Sequence, residues 1–198
     1  MDSQKKYPPI YSLEFFPPKT ADGIAKLEVT SQQLATLKPR FFSVTFGAGG
    51  STRERTFEVV VDIQEKSGIE AAPHISCISS TRDNIREMLF GYQQQGIHHI
   101  VALRGDMPSG MVEAGEFRYA NELVAFIREE TGDHFHIEVA AYPEFHPQAS
   151  SPDRDLANFK RKAEAGANSA TVSYTHLTLP TKEDGWGGGG GGGGGWGG

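Results

Sequence analysis

The sequence predicts an α/β protein built as an incomplete (β/α)8 barrel. Three observations carry this. Short apolar runs of strand length alternate with segments whose apolar residues recur at helical spacing. Glycines separate the helical segments from the strands that follow, as left-handed C′ positions do. No GxGxxG follows the first strand, where an open dinucleotide-binding sheet would carry it. Strict alternation in short units gives parallel strands with right-handed crossovers.

The expected strands are Ile10–Phe15, Phe41–Phe46, Glu70–Ile75, His99–Leu103 and His136–Tyr142, with a sixth beginning near Ser169. Between the first two, Ile24, Leu27, Leu34 and Leu37 form a helical stripe. Phe57, Val60 and Val61 mark the second helix, and Ile85, Met88, Leu89 and Tyr92 the third. Leu123, Phe126 and Ile127 mark the fourth, and Leu156, Phe159 and Ala163 the fifth. Each stripe is expected to pack on the sheet. Gly68, Gly96, Gly132 and Gly166 each close a helical segment. Thr52 and Thr81 are candidate N-caps, and Ser151-Pro152 reads as an N-cap with proline at the first helical position. Five βα units and the start of a sixth strand are present, whereas a closed barrel takes eight.

The C-terminal stretch has a different character. Residues 185–198 contain half of the 24 glycines and both tryptophans. Such a run cannot bury a core and reads as flexible coil. TVSYTHLTLPT before it looks like a translated sequencing adapter, with the glycine run as a poly-G read. A partial catalytic barrel over residues 1–170 and a non-native, disordered tail over 171–198 are therefore expected, the natural protein being longer. Tyr174 and His176 then carry no function.

The 198 residues have a formal net charge of -6, which disfavours sequence-independent nucleic-acid binding. Cys77 is the only cysteine, so no internal disulfide forms. The N-terminus lacks a secretory h-region and no apolar run reaches bilayer length, so a cytoplasmic protein without membrane association is expected.

Parallel barrels bring all strand C-termini to one face. The apolar runs end at Glu14, at Thr45, at His74, at Arg104-Gly105-Asp106 and at Tyr142-Pro143-Glu144. Glu14, in SLEFFPP, is expected at the barrel mouth, where partial desolvation favours the protonated carboxyl and suits a general acid. An isolated glutamate there also serves as a cap or ion-pair partner. Gly105 lets backbone approach a ligand, Arg104 suits a phosphate, and Asp106 can accept from a ring N–H. An Arg–Asp surface pair is the alternative. In AAYPEFHP, Tyr142 can stack on a planar ring and His146 can donate to a phosphate or ribose oxygen, or Tyr142 plugs the core. Lys160-Arg161-Lys162 can reach a pyrophosphate, with Asp155 and Asn158 on a ribose or base, or they form a solvated face. No metal site is expected.

Together, LEFFPP, FFSVTFGAGGSTRERT, EAAPHISC, GIHHIVALRGD, EVAAYPEFHP and NFKRKAEAGAN resemble, in order and spacing, the methylenetetrahydrofolate reductase family across Tyr11 to Ala170. The resemblance implies a flavoprotein oxidoreductase of one-carbon metabolism and methionine supply. It implies NADH or NADPH as co-substrate, FAD as cofactor and a folate substrate: 5,10-methylenetetrahydrofolate becomes 5-methyltetrahydrofolate, with ping-pong kinetics. Glu14 is then the general acid that opens the five-membered folate ring, and Asp106 lies between flavin and pterin. His74, Arg104, Gly105, Asp106, Tyr119, Ala120, Tyr142, His146, Ala149, Asp155, Asn158, Arg161 and Lys162 fall on FAD-contact positions. Thr45, Phe46, Ala48 and Gly49 fall on the nicotinamide-nucleotide side. A homo-oligomer is implied for the full-length protein. The family's sixth strand carries a glutamine and aromatics where this chain has VSYTHL. Two other readings remain: a truncated, non-catalytic fragment with at most weak FAD binding, and a flavin-independent barrel enzyme acting on a phosphorylated substrate.

Overall fold

The computed structural model describes residues 10–46, 50–78, 80–105, 115–142 and 149–172. Asp106, His146, Ala48, Gly49 and the segment from residue 173 onward lie outside the described residues. Strands and helices alternate: β1 Leu13–Phe15, α1 Ala21–Ala35, β2 Phe42–Val44, α2 Gly50–Ser67, β3 Ala71–Ser76, α3 Arg82–Gln94, β4 His99–Leu103, α4 Ala120–Thr131, β5 His136–Ala140, α5 Pro152–Glu164 and β6 Ser169–Thr171. Thr171 thus belongs to the sheet.

All neighbouring strands pair in parallel, and the order across the sheet is β1-β2-β3-β4-β5-β6. This order separates the two architectures. A doubly wound sheet reverses direction at a switch point and puts helices on both faces. Here every crossover steps the same way, so right-handed connections place all helices on one face. The result is a partial (β/α)8 barrel.

Strand residues alternate between two sides. Phe42, Val44, Ala71, Ile75, Ile100, Ala102, Ile137 and Val139 face outward and join the helices in the main core, with Val60, Ile63, Ile85, Leu89, Leu123 and Ile127. Inward, a smaller apolar cluster holds Phe41, Ala72 and Val101 with Leu103 against it. Apart from Ala140, the other inward strand positions are polar.

Local signals explain the element bounds. Thr20, Thr81 and Ser151 cap α1, α3 and α5 by accepting from the amides of Gly23, Asn84 and Arg154. Thr52 falls inside α2 rather than before it, because that helix begins at Gly50. Gly68, Gly96, Gly132 and Gly166 all have positive φ, as expected at helix ends. Two stripes are only partly buried. Ile24 and Leu37 at α1 and Leu156 on α5 are exposed. These helices flank the outermost strands, and among the described residues no further helix covers their outer sides.

Arg128 near the end of α4 holds the α4–β5 and α5–β6 turns together. Its guanidinium donates to the carbonyls of Gly132, Phe135 and Gly166, and to the Asn168 side chain. Asn168 Oδ1 in turn accepts from the Ile137 amide. Arg128→Ala leaves three carbonyls without this donor, and is expected to cost about 2 kcal/mol in urea unfolding.

Candidate functional site

Glu14 is the central residue of β1 and pairs in register with Ser43 of β2, which pairs with Ala72 of β3. Leu13 and Phe15 pack outward on the main core, so Glu14 points inward. His74, two residues after Ala72, shares that inner side. Its Nε2 lies 3.5 Å from Glu14 Oε2. Burial pushes the His74 imidazole down to about 4. At neutral pH the ring is therefore uncharged, and the contact is a long polar one, not an ion pair.

The sign of this shift sets a pH dependence. Above about 6.5 His74 is neutral whether the chain is folded or unfolded. Between 6.5 and 4 the unfolded chain takes up the proton while the folded one does not. His74 therefore removes stability as pH falls through that window, by up to about 3 kcal/mol. His74→Gln is expected to flatten this part of the stability profile in urea titrations from pH 7 to 4.

At the C-terminal end of β4, Arg104 and Gly105 are fastened to β3. Ser76 Oγ donates to the Arg104 carbonyl at 3.1 Å, and the Ile78 amide donates to the same oxygen at 2.9 Å. Gly105 has φ +82°, and a Cβ there would stand 1.9 Å from Ser76 Oγ. The glycine is required by backbone conformation and by this approach. Burial pushes the neighbouring Cys77 thiol up to about 11, keeping it protonated and unreactive. Glu14, His74, Ser76 and Arg104-Gly105 thus form one connected region across β1, β3 and β4.

The remaining predicted positions surround it. Thr45 follows β2, its amide donating to the Phe15 carbonyl at 2.9 Å. Phe46 lies 5.9 Å from the Arg53 guanidinium. Tyr142 follows β5 and is 45% exposed, so the core-plug alternative is set aside. Tyr119 is the N-cap of α4 and Ala120 its first residue; Glu122 accepts from the Arg118 and Tyr119 amides. Ala149 lies just before the α5 cap. On α5, Lys162 Nζ donates to the Ala140 carbonyl at the end of β5. Burial lowers the Lys162 ammonium while Asp155 raises it. Arg161 donates to Asn158 Oδ1. Lys162 therefore meets the end of β5, one strand beyond Arg104.

A second polar group was not anticipated. His99, His136, Glu138, Ser169 and Thr171 all face inward. Glu138 Oε1 lies 3.2 Å from His99 Nε2 and accepts from Ser169 Oγ at 2.6 Å, and Thr171 Oγ1 donates to Glu138 Oε2. Glu70 approaches the other nitrogen of His99, Nδ1, at 3.4 Å. Burial alone would raise the Glu138 carboxyl, but hydrogen bonds from His99, Ser169 and Thr171 outweigh it and hold it at about 2. The signal was present in the alternation of HHIVAL and HIEVA, where every second residue from His99 and from His136 shares one side. The groove between α1 and α2, lined by Ile24, Leu27, Val59 and Ile63, lies on the outer helical layer, away from both polar groups.

The sequence profile of the family described as methylenetetrahydrofolate reductase matches residues 1–174. The chain belongs to this family. It is 47% identical over 163 residues to the 5,10-methylenetetrahydrofolate reductase of Salmonella typhimurium, covering 82% of this chain and 54% of that protein. It is 39% identical over 172 residues to methylenetetrahydrofolate reductase (NADH) 1 of Arabidopsis thaliana, covering 80% of this chain and 29% of that protein. The chain therefore spans about half the length of the bacterial methylenetetrahydrofolate reductase it matches. Among solved structures, the carboxyl transferase domain of Rhizobium etli pyruvate carboxylase superposes with a TM-score of 0.56 at 15% identity, covering 82% of this chain and 27% of that one. That likeness concerns the fold alone. The family expected from the ordered motifs is the family found. No helix among the described residues is long and apolar enough to cross a membrane.

Proposed function

We propose that the complete protein reduces 5,10-methylenetetrahydrofolate to 5-methyltetrahydrofolate with NADH or NADPH, through FAD held at the C-terminal end of the sheet. The observation that carries this reading is the placement of Glu14 beside His74 on the inner side, joined through Ser76 to Arg104-Gly105. An acid and a glycine-lined strand end then meet in one region of a methylenetetrahydrofolate reductase family member.

The donor set suits a dinucleotide cofactor. Arg104, Arg161 and Lys162 bring positive charge toward the ends of β4 and β5, where a pyrophosphate needs it. Asp155 and Asn158 offer acceptors for ribose hydroxyls, and half-exposed Tyr142 offers a flat face for a ring. Gly105 keeps the β4 end free of a side chain. When bound, the flavin supplies the two-electron carrier between nicotinamide and folate. Glu14 donates a proton from its carboxyl oxygen to the folate amine nitrogen that leaves when the five-membered ring opens. Neutral His74 puts no cation beside that carboxyl. Asp106, His146, Ala48 and Gly49 are assigned by motif: Asp106 to flavin and pterin, His146 to FAD, Ala48 and Gly49 with Thr45 and Phe46 to the nicotinamide nucleotide.

The complete protein is expected to purify yellow and to oxidise NADH with menadione as acceptor. A colourless protein without this activity contradicts the reading. The 198-residue chain alone is proposed to be non-catalytic. Among the described residues β1 and β6 each pair on one side only, and such open edges favour association with other strands. A sharp unfolding transition from a soluble monomer would contradict that.

A further inference from the structure

The inward polar group on β4, β5 and β6 has the composition and spacing of a cation site. His99, His136 and Glu138 each offer one ligand atom, and these atoms all lie within 4.8 Å of one another. Glu138 Oε1 is 3.2 Å from His99 Nε2 and 3.5 Å from His136 Nε2. A tetrahedral zinc with ligand bonds of about 2.0–2.1 Å holds its ligand atoms roughly 3.4 Å apart. Two of the three edges have about that length, and the third, within 4.8 Å, shortens by movement of the His136 ring, whose side chain is 40% exposed. We propose that His99, His136 and Glu138 bind a divalent transition cation of the zinc class and so tie β4 to β5 on the inner side of the sheet.

A second observation supports this independently. His99 has a carboxylate at each ring nitrogen, Glu138 at Nε2 and Glu70 at Nδ1. A neutral imidazole has one N–H and satisfies one of these two contacts, whereas an imidazolium satisfies both. A cation on Nε2 satisfies the same pair in another way: it takes the Nε2 lone pair and Glu138, and Nδ1–H donates to Glu70. Metal-binding histidines characteristically have such an outer carboxylate. The side chains of His99 and Glu138 are 2% and 7% exposed, so the competing solvent is limited. Ser169 Oγ now bridges His136 Nε2 and Glu138 Oε1 and is displaced when the cation enters.

His99 and His136 begin β4 and β5, at the opposite strand ends from Arg104 and Tyr142, and Glu138 lies in the register row of Val101 and His74. The role assigned here is structural, since catalytic sites of such barrels sit at the C-terminal face.

The test is titration of the metal-free chain with Co2+, read by visible absorption, with Zn2+ and Mg2+ as competitors. One equivalent of Co2+ is expected to produce tetrahedral absorption bands, removed by Zn2+ and unaffected by Mg2+. His136→Ala and Glu138→Gln lose the bands, and Glu70→Gln binds at least about tenfold more weakly. Ser169→Ala retains them. His98→Ala also retains them, although His98 stacks on His134 with ring centroids 4.5 Å apart. Absence of bands in the wild-type chain overturns the proposal. So does their persistence in His136→Ala, or their loss in His98→Ala. Circular dichroism of each variant accompanies the titration; should Glu138→Gln unfold, the half-exposed His136→Ala and the wild-type titration decide.

Discussion

Glu14→Gln in the complete protein is expected to lower methylenetetrahydrofolate reduction by about 10³-fold while leaving NADH oxidation by menadione within about twofold. The magnitude is that of removing a positioned general acid. On the proposed function the two activities separate, because only folate ring opening would consume the proton assigned to Glu14. Glutamine keeps the size and polarity of the side chain, so its contact with His74 across 3.5 Å survives in altered form. Loss of both activities together would mean that Glu14 supports cofactor binding or folding instead. Retention of both would remove it from the chemistry.

Gly105→Ala is expected to destabilise the chain by about 4 kcal/mol, the largest stability effect of any single substitution considered. Two costs add. A φ of +82° is unfavourable for an L side chain by about 1–2 kcal/mol. The new Cβ would also lie 1.9 Å from Ser76 Oγ and 3.2 Å from Ile78 Cγ2, and forced overpacking typically costs 1–3 kcal/mol. Ser76→Gly in the same chain removes the steric part and leaves the backbone part. The double variant should therefore recover roughly half of the loss in urea unfolding. A Gly105→Ala chain as stable as wild type would show that the β3–β4 seam is not built as described.

Much of this architecture was legible in the sequence because periodicity and punctuation agreed. Each expected strand was found, although β1 begins at Leu13 rather than Ile10 and β5 ends at Ala140 rather than Tyr142. Tyr142 and Phe46 continue the apolar run but pass beyond the neighbouring strand's pairing. Ile85, Leu89 and Tyr92 are buried as their spacing predicted. Leu156 shows the limit of that logic. Its spacing is helical and apolar, yet it is 68% exposed because burial also requires a neighbour on that flank. Gly105 was singled out for ligand approach, whereas its strictest constraint comes from Ser76 inside the fold.

The inner polar group was not legible because its histidines begin β4 and β5 and its carboxylate sits mid-strand, away from the strand ends that carry the motifs. His99 and Glu138 are far apart in sequence and meet only through the β4–β5 register, in which Val101 pairs with Glu138. Single residues gave no sign of that meeting. The family resemblance, by contrast, depended on ordered motifs and needed no register.

The most direct test of the central claim is the visible spectrum of the complete protein under anaerobic conditions. The account predicts flavin absorption that bleaches on addition of NADH or NADPH and returns on addition of 5,10-methylenetetrahydrofolate. A protein without flavin absorption, or one whose bleached spectrum does not return with the folate, would contradict it.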